Sequence, residues 1–210
     1  MFDTQFDALV VTRGTGAAST KMNWINANFT AYNSVPPPVY QQDIGYYTSE
    51  AIGGRLYTSY TPSINTVLFT LNDACWGFKV GGSFTTNGVI GGWFSSGGTM
   101  SWWSGVGSYV RLNSHNDTAC PGNPYIIGYN MLSRTAVNSL DEIRNATKTN
   151  YNYLAGGLLP TGQISMLTWN IEGYFPAVDE KLELYYFGKS MTQTQFNTFQ
   201  TIFDTYFAAF

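Results

Sequence analysis

Two rings and a guanidinium within one short stretch, Trp103, Tyr109 and Arg111, are the residues of this sequence best suited to hold a ligand. Indole and phenol rings are amphipathic plates that stack on the apolar faces of sugars, and a guanidinium donates to their oxygens. Trp102 and Trp103 are consecutive, so in a strand they face opposite ways, one inward and one outward. The competing use of these rings, Trp93 included, is packing between two sheets. Calcium would need clustered carboxylates and amides. Asp117 with Asn113 and Asn116 is a thin version of that, and the reading is no metal.

Nothing in the chain is spaced for breaking bonds. Glycoside hydrolysis needs two carboxylates on one cleft, about 5–5.5 Å apart for retention or roughly 6.5–9.5 Å for inversion. Alternate residues of a strand share a face, so Glu-x-Asp-x-x-Glu on a strand would present such a set. No such run occurs. Asp179 and Glu183 share a face without Glu180, while Asp141 and Glu142 are adjacent and point apart. His115, the one histidine, lies in a polar loop, Asn113-Ser114-His115-Asn116-Asp117, without a nucleophile beside it. Cys75 and Cys120 stand alone, with no Cys-x-x-Cys or His-x-x-x-His spacing for zinc. They read as free, partly buried thiols, with one disulfide as the alternative. The expectation is therefore no catalytic residue, no metal and no cofactor.

Composition narrows the partners. Charged residues are 11% and the net charge is −3. A nucleic-acid binder would carry a basic stripe, which is lacking. No apolar run is long enough for a membrane-spanning helix. The start, Met1-Phe2-Asp3-Thr4-Gln5, has neither the basic region nor the apolar core of a signal peptide. The sequons at Asn28, Asn116 and Asn145 accordingly read as chance. A chain of 210 residues can bury one full core, and 22 glycines with 17% aromatics point to many short strands.

The elements that must position these residues follow from periodicity. Residues 179–187 alternate charge and bulk as a strand buried on one face. Gly188 and Lys189 turn the chain into a helix. Thr192 caps it and Gln195, three residues on, completes a capping box. Phe196, Phe199, Ile202, Phe203, Tyr206 and Phe207 then form one apolar stripe. That stripe either packs on its own domain or docks on a neighbouring subunit. Phe207 and Phe210, at an end with little polar cover, are the interface candidates. Before the helix everything reads as β. Strands are expected at 6–12, 67–71, 75–80, 109–112, 125–132, 140–144 and 163–170, among others. Residues 36–38 are prolines and break any ladder. Residues 145–150 read as a polar hairpin loop. There is no repeat and no linker, so residues 1–210 form one domain, with a sandwich over about 5–188 and a helix over about 191–208.

In order and spacing, four groups of residues resemble the concanavalin A-like jelly-roll domains of tailed-bacteriophage structural proteins. Phe6-Asp7-Ala8-Leu9-Val10-Val11 followed by Lys21-Met22-Asn23-Trp24-Ile25-Asn26 is similar to that family's opening. Gly45-Tyr46-Tyr47, Leu56-Tyr57-Thr58-Ser59-Tyr60-Thr61-Pro62 and Phe69-Thr70-Leu71-Asn72-Asp73-Ala74-Cys75-Trp76-Gly77 are similar to its next strands. Gly128-Tyr129-Asn130-Met131-Leu132-Ser133-Arg134 with Ile143-Arg144-Asn145 resembles its hairpin, although Asn145-Ala146 replaces the expected Asn-Gly turn. Leu184-Tyr185-Tyr186-Phe187-Gly188-Lys189-Ser190-Met191-Thr192 and the helix resemble its close. The family's longer helical leader is missing, which suggests a short, stand-alone version.

The resemblance implies an all-β jelly-roll sandwich of two antiparallel sheets with one C-terminal amphipathic helix. It also implies a place on a virion, as a capsid decoration, head-fibre or tail-associated subunit whose partners are capsid or tail proteins. The residues themselves leave an alternative open, a lectin-like adhesion domain that binds host-surface glycans through Trp103, Tyr109 and Arg111. A glycan-degrading enzyme is the third reading. The first two are compatible with a homo-oligomer.

Overall fold

The computed structural model describes residues 2–16, 19–26, 31–34, 37–47, 54–81, 88–93, 99–104, 109–114, 120–121, 126–152, 158–167 and 181–209. The side chains of Ser19, Trp103, Ser104, Tyr109, Ser114, Cys120 and Pro121 lie outside this description. Two antiparallel sheets account for the described strands. The first has eight: β1 (Phe6–Val11), β3 (Val39–Gln41), β4 (Gly45–Tyr47), β6 (Ala74–Gly81), β11 (Gly128–Ala136), β12 (Ser139–Arg144), β13 (Thr147–Tyr151) and β15 (Lys181–Gly188). Its order is β13-β12-β11-β6-β15-β4-β3, with β1 also paired to β15. The second has seven: β2 (Tyr32–Asn33), β5 (Leu56–Tyr57), β7 (Gly88–Trp93), β8 (Thr99–Ser104), β9 (Tyr109–Ser114), β10 (Cys120–Pro121) and β14 (Ser165–Met166), in the order β10-β9-β8-β7-β14-β5-β2. A short helix, α1 (Pro62–Asn65), and a long one, α2 (Gln193–Phe207), complete the chain.

The sheets enclose an inner core that includes Trp76, Phe78, Trp102, Leu132, Met166, Tyr185 and Phe187. A second, outer core lies between the eight-stranded sheet and α2. Phe6, Leu9, Val11, Leu184 and Tyr186 meet Phe196, Phe199, Phe203 and Phe207 there. Because both faces of β1 and β15 are covered, every residue of β1 is buried, as are residues 182–188 of β15. A strand covered on both faces reads as a nearly continuous apolar run. Gly77 makes the double layer close: a Cβ there would lie 2.1 Å from the Tyr186 hydroxyl opposite it.

The helix forms as its sequence directs. The Gln195 amide N–H donates to the Thr192 hydroxyl at 3.2 Å, and the Thr192 amide N–H donates back to the Gln195 side chain at 2.8 Å. Phe207 is buried in the outer core, so it is not the exposed docking residue considered from sequence; the stripe packs on its own domain. Phe210 lies outside the described residues.

Two local expectations are corrected. Residues 67–71 are not a strand, because their amide groups are drawn to a carboxylate described below. Residues 145–150 are not a loop: Asn145 and Ala146 make the turn alone, and β13 begins at Thr147. Asn145 adopts φ +49°, and its side-chain oxygen accepts from the Tyr129 amide at 2.8 Å. An asparagine tolerates that left-handed conformation, and because Ala146 does not share it, no glycine is needed at the second position.

Candidate functional site

Backbone register places the three residues selected from sequence in two paired strands of the seven-stranded sheet, Trp103 opposite Tyr109 and Ser101 opposite Arg111. One row across that sheet runs Tyr32, Tyr57, Ser165, Gly92, Ser101, Arg111. The alternate row holds Leu56, Met166, Trp102 and Val110, all inner-core residues. Trp102 is therefore the inward member of its pair. Arg111, however, is only 8% exposed, and Ser101 and Ser165 are fully buried. Burial removes Arg111 from the solvent-facing groove expected of it. Among the described residues, this face is open at its far edge, where the rings of Tyr32 and Tyr57 stack at 5.0 Å and the Tyr32 hydroxyl donates to Gln163. His115, Asn116 and Asp117 lie outside the described residues, as do Asp179 and Glu180. Asp141 and Glu142 do point apart, Asp141 to Lys148 and Glu142 to the Tyr151 hydroxyl. Cys75 is a free thiol whose pKa is pushed up by burial. Among the described residues, no three His, Cys, Asp or Glu side chains gather as metal ligands would.

An open cavity of about 430 Å³ lies elsewhere, beside the last turn of α2. Its walls include Arg13, Thr15, Met22, Asn23, Trp24 and Tyr206. The position of each is set by backbone pairing. As β1 ends, the amide groups of Thr12 and Arg13 both donate to the Glu183 carbonyl, at 2.8 and 3.0 Å. This clamps residue 13 to a bulge in β15. The Gly14 carbonyl accepts from the Tyr40 hydroxyl and the Asp43 amide. Asn23 makes an isolated bridge to Val10, and its side-chain oxygen accepts from the amides of Leu9 at 3.0 Å and Ile25 at 2.9 Å. The Trp24 amide donates to the Leu9 carbonyl, so the Asn-Trp segment is tied to the edge of β1.

The result is a mixed surface. The Trp24 indole meets the Tyr206 ring edge-on at 5.3 Å and is still 46% exposed. Beside it, Asn23 Nδ2 and Arg13 Nε are buried donors without a hydrogen-bond partner. Unpaired buried donors cost roughly 1–3 kcal/mol each. Behind the cavity, Glu183 accepts from Lys79 Nζ and lies 3.7 Å from Arg13 Nη1. Arg13 and Lys79 both sit over the Phe207 ring, at 5.1 and 4.6 Å. The pKa of the Tyr129 phenol is raised by burial and by its hydrogen bond to Asp204 at 2.9 Å. Sequence reasoning noted Asn23 and Trp24 only as part of a resemblance. The available signal was an asparagine next to a tryptophan in a segment too short to bury both.

No protein-family model matches this sequence, and no curated protein does. Solved structures do share the fold. The binding domain of botulinum neurotoxin serotype D is similar with a TM-score of 0.66 at 8% identity, over 95% of this chain and 52% of that one. A receptor binding domain of botulinum neurotoxin D gives 0.60 at 10% identity, over 96% and 53%. A mutant Trypanosoma rangeli sialidase displaying trans-sialidase activity gives 0.56 at 8%, over 90% and 32%. The chain thus spans about half the length of the neurotoxin domains. At these identities the likeness is one of fold: a β-sandwich of two antiparallel sheets with a C-terminal helix.

Proposed function

We propose that this chain is a lectin-like, carbohydrate-binding module, not an enzyme, and that saccharide enters the cavity beside Trp24. One observation carries the reading: a half-exposed indole stands next to two buried donors that have no partner. Lectin sites combine these parts, a ring to stack on and fixed polar groups to orient the ligand. That two of the structurally similar proteins are titled binding or receptor-binding domains agrees with it.

Glycan-array screening of the purified chain, with Trp24→Ala and Trp103→Ala in parallel, tests the proposal. Binding that is lost in Trp24→Ala and kept in Trp103→Ala supports the cavity. The reverse pattern returns the site to the outer face of the seven-stranded sheet. No bound glycan on any array refutes the module.

The second reading, a structural subunit of a phage virion, rests on the sequence resemblance. Its test is whether the chain copurifies with intact virions.

A further inference from the structure

We infer that the saccharide taken by this cavity is an acidic one, recognised through its carboxylate. The inference rests on the module reading above and narrows it to a ligand class.

Asn23 has its amide orientation fixed, because its oxygen already accepts from the Leu9 and Ile25 amides. The end left over is the NH₂ group, which can only donate. Arg13 Nε is likewise only a donor. Among the described residues, no Asp or Glu lines the cavity. The hydroxyl protons of any sugar can go to the Thr15 and Thr20 hydroxyls on the wall, but a neutral hydroxyl is a weaker acceptor for these two donors than a carboxylate. A carboxylate brings acceptors alone and matches two unpaired donors.

The charges around Arg13 are closely paired. Glu183, on the far side of Arg13, is shared with Lys79, which takes the hydrogen bond and leaves Arg13 at 3.7 Å. One carboxylate thus faces two cations. The adjoining cavity on that side adds one more of each sign, Asp43 and Lys181. Asp204, which accepts from the Tyr129 hydroxyl under Lys79, brings the carboxylates to three against three cations, so the pull on an acid comes from the two donors and the guanidinium and not from a net charge. Charge-assisted hydrogen bonds are about twice as strong as neutral ones, so the acid group should govern selectivity. The cation is also held in place, since the Arg13 guanidinium lies over Phe207 and its backbone is clamped to β15.

The test compares two sugars that differ only in the acid, methyl β-glucuronide and methyl β-glucoside, by isothermal titration at low salt and pH 7. An array of neutral and acidic glycans runs alongside. The glucuronide should bind at least tenfold more tightly, and added salt should shrink the gap. Asn23→Asp keeps the oxygen that accepts from Leu9 and Ile25 but replaces the donor with a negative charge. It should keep the melting temperature and lose the preference. Arg13→Gln should lose it as well. Equal affinity for the two sugars, or array hits confined to neutral glycans, overturns the inference and leaves the module standing. A preference that survives in both variants places the acid elsewhere and also overturns it. Silence toward every glycan removes the module and this inference with it.

Discussion

Asp7 and Glu183 occupy equivalent irregularities in neighbouring strands and do different things. Each sits at a shift in register, Asp7 where β1 meets β15 and Glu183 where β15 meets β6. Each is nearly buried, at 6% and 7% exposure. Asp7 is saturated by neutral donors. The amides of Val67, Leu68 and Phe69 reach it at 3.0, 2.9 and 2.8 Å, and the hydroxyls of Tyr60 and Thr66 both at 3.1 Å. Glu183 instead meets cations, Lys79 and Arg13. The first carboxylate has nothing left to offer and pins a loop. The second sets the charge of a side chain that borders an open cavity. A buried acid is therefore informative only once its partners are counted.

The largest expected effect breaks the first member of the pair. Asp7→Ala orphans three amides, while the Thr66 hydroxyl keeps the Phe69 carbonyl, and should cost on the order of 4 kcal/mol in urea unfolding, tempered by rehydration of the loop. A loss below about 1 kcal/mol would show that water replaces the carboxylate freely and would end the contrast. Glu183→Gln should cost less, about 1–2 kcal/mol, because Lys79 and Arg13 keep some access to water. The same change should tighten glucuronide binding, where Asp7→Ala should not. Tyr186 isolates the cost of a polar group with no partner of either kind: its hydroxyl is buried and unpaired. Tyr186→Phe should stabilise by about 1 kcal/mol in the same assay.

A separate effect appears at alkaline pH. Burial raises the phenols of Tyr60, Tyr185 and Tyr186 above their ordinary value of 10.0, with the Asp7 charge adding to it at Tyr60. In the unfolded chain these groups lose protons near pH 10.0, while the folded chain retains them. The unfolded state then binds fewer protons, so stability should fall as pH rises past that point. A flat melting temperature up to pH 11 would contradict this, and Asp7→Ala should soften the slope by relieving Tyr60.

Much of the architecture was legible because it is local. Thr192 and Gln195 lie three residues apart and announce a helix start, and the stripe from Phe196 to Phe207 fixes its buried side. Of the two consecutive tryptophans, Trp102 is the inward one. The loop at residues 67–69 was misread because its amides bond to Asp7, some sixty residues away, and no window along the chain contains both. Arg111 was placed on the right face and given the wrong environment, since register is a backbone property and burial depends on everything packed above it. Phe207 looked exposed for the converse reason: its cover, Arg13 and Lys79, comes from two distant strand ends. The cavity was missed because its parts, Arg13, Asn23, Trp24 and Tyr206, meet only when the end of the chain folds over its beginning.

That meeting has a practical consequence. The Phe2 ring lies 5.8 Å from Phe203, and the Gln5 side chain donates to the Lys189 carbonyl at 2.6 Å. Polypeptide joined before Phe2 or after α2 would emerge on the helix side, the same side as Trp24. An affinity tag or fusion partner at either end would crowd the mouth of the cavity. A circular permutant avoids this: joined across the present ends and reopened between Asn145 and Ala146, it would carry its new termini at the tip of the β12–β13 hairpin and leave the cavity clear for immobilised assays.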